Sequence, residues 1–214
     1  MDNANSPKRL SGHTDARRAS AREATARARG YLHFVREFVR HPRQIGAICP
    51  SSPVLARRIA SLVPPGDGLV LELGPGGGAV TAALLRHGVA AHDLVLLERS
   101  AALVAQLSRR FPDVALIHGD AAHLGDYAQL RERPLRAIVS SLPLRSLPRP
   151  LVRQILDQIA EVSAPGTRFI QFSYALHDAC AAPARGFERD DACLVWRNLP
   201  PARVDCYRDA RARA

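Results

Sequence analysis

The chain has no run of eighteen or more apolar residues, so no segment is long enough to cross a bilayer as a helix. Its first residues, MDNANSPKRLSGH, carry no apolar stretch of the kind a secretory signal needs, and a cytoplasmic location is expected. Cysteine is scarce: Cys49, Cys180, Cys193 and Cys206 form no C-x-x-C pair, and they are read as reduced, ordinary thiols. His177 precedes Cys180 by three residues, but two further ligands at workable spacing are lacking, so no metal is expected. Acidic residues are also short, with 20 Asp and Glu against 30 Lys and Arg among 214 residues. The resulting net charge of +10 is unusual for an enzyme of small soluble metabolites. The surplus is uneven, since residues 1–43 hold ten Lys and Arg but only four Asp and Glu. Such a patch attracts phosphate, in nucleic acid or on an anionic membrane.

Residues 1–14 are polar and read as disordered, and residues 15–29 are Ala- and Arg-rich with no apolar stripe. The segment YLHFVREFVRH differs. Tyr31, Phe34, Val35 and Phe38 recur at helical spacing, Arg36, Glu37 and Arg40 take the other side, and Pro42 ends the run. This amphipathic helix either packs on its own domain or lies in a membrane surface. The chain therefore divides into a basic tail with this helix, residues 1–43, and a globular domain, residues 44–214. A loop, Gly46-Ala-Ile-Cys-Pro-Ser-Ser-Pro53, leads in; Ser51 or Ser52 can cap a helix over Val54–Leu62, with Pro53 in its first turn.

From Leu69 onward, strands alternate with helices. Strands are predicted at Leu69–Leu73, Leu94–Glu98, Val114–His118, Leu135–Ser140 and Thr167–Tyr174. Helices are predicted at Val80–His87, Ala101–Phe111, near Tyr127–Arg131 and at Pro150–Val162. Continuous apolar strands separated by helices indicate an α/β, Rossmann-like, mostly parallel sheet covered on both faces. Two further strands, Ala192–Arg197 and Arg203–Tyr207, have no helix between them and are expected to form an antiparallel edge, giving seven strands. The stretch Ala175–Asp191 shows no clear element and reads as a lid or a disordered loop.

The stretch Leu69-Val-Leu-Glu-Leu-Gly-Pro-Gly-Gly-Gly-Ala79 runs from strand to glycine turn to helix, the corner at which nucleotides bind. Glu98, Asp120 and Ser140 stand at the ends of the next three strands, where an open parallel sheet takes its ligand. Glu98 can accept both hydroxyls of a ribose, and Asp120 can reach an adenine amino group. Gly74-x-Gly76-x-x-Ala79 satisfies the loose dinucleotide fingerprint too, but Pro75 removes an N–H from the loop that would hold a pyrophosphate. S-adenosylmethionine has no phosphate and carries a cationic ammonium and sulfonium, which Glu72 suits. It is the cofactor these residues favour, with S-adenosylhomocysteine as product.

The segments Leu71-Glu-Leu-Gly-Pro-Gly-Gly-Gly78, Gly119-Asp-Ala121 and Ser141-Leu-Pro143 resemble class I methyltransferases, near the rRNA adenine dimethyltransferases. Four outer segments resemble bacterial phospholipid N-methyltransferases: Ile45-Gly-Ala-Ile-Cys-Pro-Ser-Ser-Pro53, Ser141-Leu-Pro-Leu144, Gln171-Phe-Ser-Tyr174 and Trp196-Arg-Asn-Leu-Pro-Pro-Ala202. The resemblance spans roughly residues 30–208 and departs at Gly77, where the family often has Thr. It implies methylation of phosphatidylethanolamine towards phosphatidylcholine by a protein that binds the cytoplasmic face of the inner membrane. The implied partners are an anionic membrane surface and a phospholipid, without nucleic acid, and the chain is taken as a monomer. Cofactor residues carry over onto Glu72, Gly74, Gly76 and Glu98. The wider candidate set adds Ser51, Ser52, Pro75, Arg99, Asp120, Ala121 and Ser140.

Methyl transfer to an amine needs alignment and loss of a proton. Candidates beside the reacting methyl are Tyr174 and the Ser140–Leu142 backbone. Tyr31, Phe34, Tyr174 and Trp196 are possible members of an ammonium cage, each equally readable as a core aromatic. Val35 and Phe38 complete the membrane-facing set, and Arg43 and Arg197 are candidates for the lipid phosphate. The rival reading is an RNA adenine methyltransferase. Such enzymes place Asn and an aromatic around this motif, where Ser140 and Leu144 stand here, and no RNA-binding domain follows. A lipid-binding module with a degenerate cofactor site is a third reading, opposed by Glu72, Gly74, Gly76 and Glu98.

Overall fold

The computed structural model describes residues 52–174, 186–198 and 201–211. Ser51, Tyr31, Phe34, Val35, Phe38 and Arg43 lie outside the described residues, as do the predicted amphipathic helix and most of the predicted lid.

β1 (Leu69–Leu73) and β2 (Leu94–Glu98) are buried at every position, as continuous apolar runs require. With β3 (Ala115–His118), β4 (Leu135–Ser140), β5 (Arg168–Ser173), β6 (Phe187–Val195) and β7 (Ala202–Asp209) they form one sheet of order β3-β2-β1-β4-β5-β7-β6. β1 to β5 are parallel, and β7 is antiparallel to both of its neighbours. This is the seven-stranded, Rossmann-like architecture with an antiparallel last strand that the sequence led one to expect.

β6 and β7 form the expected antiparallel edge, with β7 beside β5 and β6 outermost. Two details differ from expectation. β6 starts at Phe187, claiming residues 187–191 that read as loop; its Glu188-Arg-Asp-Asp191 run is exposed, as an edge strand permits. The helix predicted near Tyr127–Arg131 is a single 3₁₀ turn, Ala128–Leu130, preceded by a kinked 3₁₀ segment, Ala121–Asp126.

Helices cover both faces. On one, Leu55 and Ile59 of α1 (Pro53–Ser61), Val80 and Leu84 of α2 (Ala79–Arg86) and Leu107 of α3 (Ala101–Arg110) meet Val70, Leu96, Val139 and Ile170. On the other, Ile155, Leu156 and Ile159 of α4 (Arg149–Val162) meet Leu71, Ile138, Phe169 and Tyr207. Each such side chain contributes about 1.5–3 kcal/mol by leaving water. None of the helices among the described residues is long and apolar enough to cross a membrane. Ser52 caps α1, its Oγ accepting from the Leu55 amide at 3.2 Å, while its own amide donates to Oδ1 of Asn198 at 3.1 Å. The start of α1 is thereby tied to the β6–β7 turn.

Gly78, at φ +76°, begins α2, and a Cβ there would lie 2.5 Å from a ring carbon of Phe111. Gly76, at φ +55°, has nothing within 4 Å of its would-be Cβ. Gly78→Ala is therefore expected to cost about 2–4 kcal/mol in urea unfolding, from a left-handed backbone plus a clash. Gly76→Ala should cost only about 1–2 kcal/mol, from the backbone alone. Equal costs at the two positions would contradict this division of labour.

Candidate functional site

β1 delivers the chain into the glycine turn at the middle of the sheet, where the connections on either side lead to β2 and β4. The amide of Gly74 donates to the carbonyl of Leu97 at 2.9 Å, and that of Gly78 to Pro75 at 2.8 Å, closing the turn. Pro75 is buried beneath it. From α3, Arg110 donates to the carbonyl of Gly77 and lies over the Phe111 ring at 5.1 Å. The open side of the turn is thus at Gly76 and Gly77, where a ligand can approach the backbone closely.

Glu72 is fully buried. Its Oε2 accepts from Oγ1 of Thr81 at 2.7 Å, and its Oε1 is buried with no partner. Burial pushes its carboxyl up to about 7 from an ordinary 4.5; the Thr81 bonds oppose that shift and the nearby Glu98 adds to it. A buried half-partnered carboxylate is costly unless a cation completes it. Glu98 ends β2 nearly buried, its Oε1 accepting from the Ser100 amide at 2.8 Å and its Oε2 from the Gly76 amide at 3.3 Å. These two bonds pin the carboxylate against the glycine turn and leave lone pairs for hydroxyl donors.

Asp120 follows β3. Its Oδ1 accepts from the Ala122 amide at 3.0 Å, and Arg99 lies 3.5 Å from Oδ2. Ala121 is buried behind it. The Asp120 amide donates to the hydroxyl of Tyr127 at 2.8 Å, and a Cβ at Gly119 would collide with that hydroxyl, so Tyr127 buttresses this loop. An orphaned carboxylate oxygen at Glu72, an uncovered backbone at Gly76 and a strand-end carboxylate at Glu98 fit a ligand with one cationic end and one ribose. S-adenosylmethionine is such a ligand.

The residues expected on the acceptor side lie at the ends of β4 and β5. Ser140 is fully buried, and its Oγ accepts from the Leu142 amide at 3.4 Å. Leu142 packs on the turn, since a Cβ at Gly74 would lie 2.9 Å from its side chain. Its carbonyl accepts from Nε2 of Gln171 at 3.0 Å and from the Leu144 amide at 2.9 Å, so both of its lone pairs are used within the protein. Among the backbone groups expected to meet an amine, that carbonyl is already occupied. Tyr174 follows β5, partly buried, with its ring edge-on to Phe172 at 5.9 Å. Trp196 and Leu194, at the end of β6, are 66% and 42% exposed, and Arg197 beside them is exposed.

Ser52 sits in the α1 cap described above, and its bonds there involve none of Glu72, Gly76 and Glu98. Thr81, Tyr127, Gln171 and Asn198 are contributions that sequence reasoning did not single out. Gln171 left a signal, as a polar residue inside a strand expected to be buried. Among the described residues, no group of three or more His, Cys, Asp or Glu side chains is placed to hold a metal.

Residues 70–166 match a protein family described as a methyltransferase domain. An ornithine lipid N-methyltransferase of Singulisphaera acidiphila is 29% identical over 177 residues, covering 80% of this chain and 92% of that one. A ribosomal RNA small subunit methyltransferase A of Erythrobacter litoralis is 41% identical over 75 residues, which span only 26% of its own length. The solved structure of Burkholderia thailandensis 1,6-didemethyltoxoflavin-N1-methyltransferase, with bound 1,6-didemethyltoxoflavin and S-adenosylhomocysteine, superposes with a TM-score of 0.61 at 16% identity. That superposition covers 97% of this chain and 94% of the other.

Glu72 yields a sign-definite test. The unfolded carboxyl ionises near 4.5 and the folded one near 7, so folding stability falls as pH rises through that window and is level above it. The cost at pH 8 is roughly 3 kcal/mol. Glu72→Gln should therefore stabilise the ligand-free protein at pH 8 by about 1–3 kcal/mol, and not at pH 4, while weakening S-adenosylmethionine binding at least about tenfold in calorimetry. A destabilised variant, or unchanged cofactor affinity, would sink this assignment.

Proposed function

We propose that this chain, a class I methyltransferase dependent on S-adenosylmethionine, methylates the primary amine of a membrane lipid, with phosphatidylethanolamine as substrate. The observation that carries the reading is the alignment along nearly the whole of a lipid N-methyltransferase, whereas the ribosomal RNA enzyme aligns over a short stretch. Two features of the fold support it. Leu144, which stands where an adenine-binding enzyme would offer an aromatic face, is buried in a 3₁₀ turn and presents no stacking surface. Leu194 and Trp196 are the large exposed apolar side chains among the described residues. They lie at the C-terminal end of β6, the same end of the sheet as the glycine turn, with Arg197 next to them.

S-adenosylmethionine supplies an electrophilic methyl, so transfer forms a C–N bond, breaks the C–S bond with its electron pair passing to sulfur, and leaves a proton on nitrogen for release to water. The protein's own part is positioning. Glu72 holds the cofactor's ammonium, Glu98 its ribose, and the backbone at Gly76 leaves room for its tail. Leu142, fixed by Gln171, packs against the turn and sets the distance between donor and acceptor pockets. Arg145, in the 3₁₀ turn before α4, and Arg149 and Arg153, in its first turns, are exposed and add positive charge at the same end of the sheet. Trp196 and Leu194 sit at the lipid interface, and the basic residues 1–43 add attraction to an anionic surface.

The test is radiolabelled methyl transfer to anionic vesicles containing phosphatidylethanolamine, with parallel vesicles containing ornithine lipid and parallel small-subunit ribosomal RNA. Label is expected in phosphatidylethanolamine. Label confined to ornithine lipid would move the substrate to that amine, and label in RNA alone would overturn the lipid reading. Trp196→Ser should lower co-sedimentation with the same vesicles by about three- to tenfold; unchanged co-sedimentation would remove Trp196 from the interface.

A further inference from the structure

Gln171 is the one uncharged amide inside β5, Arg168-Phe-Ile-Gln-Phe-Ser, and only 1% of it is exposed. It pairs with Ser140 on β4 and with Asp205 on β7, in the row of the sheet that also holds Leu73. Its Nε2 donates to the carbonyl of Leu142 at 3.0 Å and to that of Phe172 at 2.8 Å. Two carbonyls on one side fix which way the amide faces, because only the nitrogen can donate to them. The oxygen is thereby held away from both, and Oε1 is buried with no hydrogen-bond partner. Among the described residues, the buried side-chain oxygens left in that condition are Glu72 Oε1 and Gln171 Oε1.

An unpartnered buried acceptor is a penalty that a Leu or Met at this position would avoid. Anchoring Leu142 explains the nitrogen of Gln171 but not its oxygen. Glu72 Oε1 lies on β1, on the donor side. Gln171 lies two strands away, its backbone paired with Ser140 and its Nε2 on the Leu142 carbonyl, on the acceptor side. We infer that Gln171 Oε1 receives an N–H of the acceptor amine and so selects for amines that still carry hydrogen. This rests on the lipid-amine reading above. A neutral primary amine has two N–H groups and keeps its lone pair free while one of them points at Oε1. A secondary amine has one N–H, and a tertiary amine has none. The residue therefore favours the early methylations over the last.

The experiment uses the full chain with S-adenosylmethionine and vesicles containing phosphatidylethanolamine, its monomethyl form or its dimethyl form, each as the starting acceptor. For Gln171→Leu, kcat/KM should fall on every acceptor as Leu142 loses its anchor, and about ten- to hundredfold further on phosphatidylethanolamine than on the dimethyl form. Its affinity for S-adenosylmethionine in calorimetry should stay within about twofold of wild type, which also reports that the variant is folded. Gln171→Glu keeps an acceptor oxygen but gives up the donor to Leu142, and it should retain the wild-type preference for the primary amine. The inference is overturned by an equal loss on all three acceptors, by no loss on any, or by a Gln171→Glu variant that has lost the preference. If Gln171→Leu loses cofactor binding, Gln171→Glu decides alone. Wild-type protein that labels none of the three lipids would instead overturn the lipid reading.

Discussion

One carboxylate is placed at a cost that folding alone does not explain. Glu72 stands in the middle of an apolar strand, with one oxygen satisfied by Thr81 and the other by nothing. A Leu at this position would make a better core. Everything around Glu72 is arranged to keep it there. The parallel strands on either side bury it, α2 brings Thr81 over it, and the backbone at Gly76, in the turn just past the strand, has open space where a side chain would stand. Stability is given up at this point, as is frequent at ligand sites.

The sheet's register carries the same logic to the acceptor. Leu73, Ser140, Gln171 and Asp205 lie in one row across β1, β4, β5 and β7. Leu73 leads into the glycine turn at one end of that row, and Ser140 and Gln171 lie along it. Leu142 joins them, packed on Gly74 and held through its carbonyl by Gln171. Inserting β7 next to β5 makes β6 the edge, and β6 carries Leu194 and Trp196 to the same end of the sheet. The glycine turn and the exposed apolar side chains thus share one end of the sheet.

The parallel core was legible because its strands are largely apolar runs of four to six residues closed by glycine, acid or serine. The glycine turn and its carboxylates were legible for the same reason: polar residues stood where burial was certain. Less could be read at the C-terminal side. The run Glu188-Arg-Asp-Asp191 looks like a loop, and only the pairing with β7 makes it a strand. The insertion of β7 between β5 and β6 leaves no local trace, because strand order depends on long-range pairing. The turn at Ala128–Leu130 has helical composition, but Tyr127 is fixed by its hydroxyl to Asp120 and spends those residues on bracing a loop. Ser52 was legible as a cap and is one, while its tie to Asn198 spans 146 positions and no local pattern announces it.

The central claim is that the lone oxygen of Glu72 waits for a cation. At pH 7 its carboxyl is about half protonated, and a bound ammonium would drive the proton off. Calorimetric titration of S-adenosylmethionine in buffers of different ionisation enthalpy counts that proton directly, with Glu72→Gln subtracting the ligand's own ionisation. The account predicts that wild type releases about half a proton more than the variant at pH 7, less at pH 8.5 and more at pH 6. Identical proton counts for the two proteins across that range would contradict it.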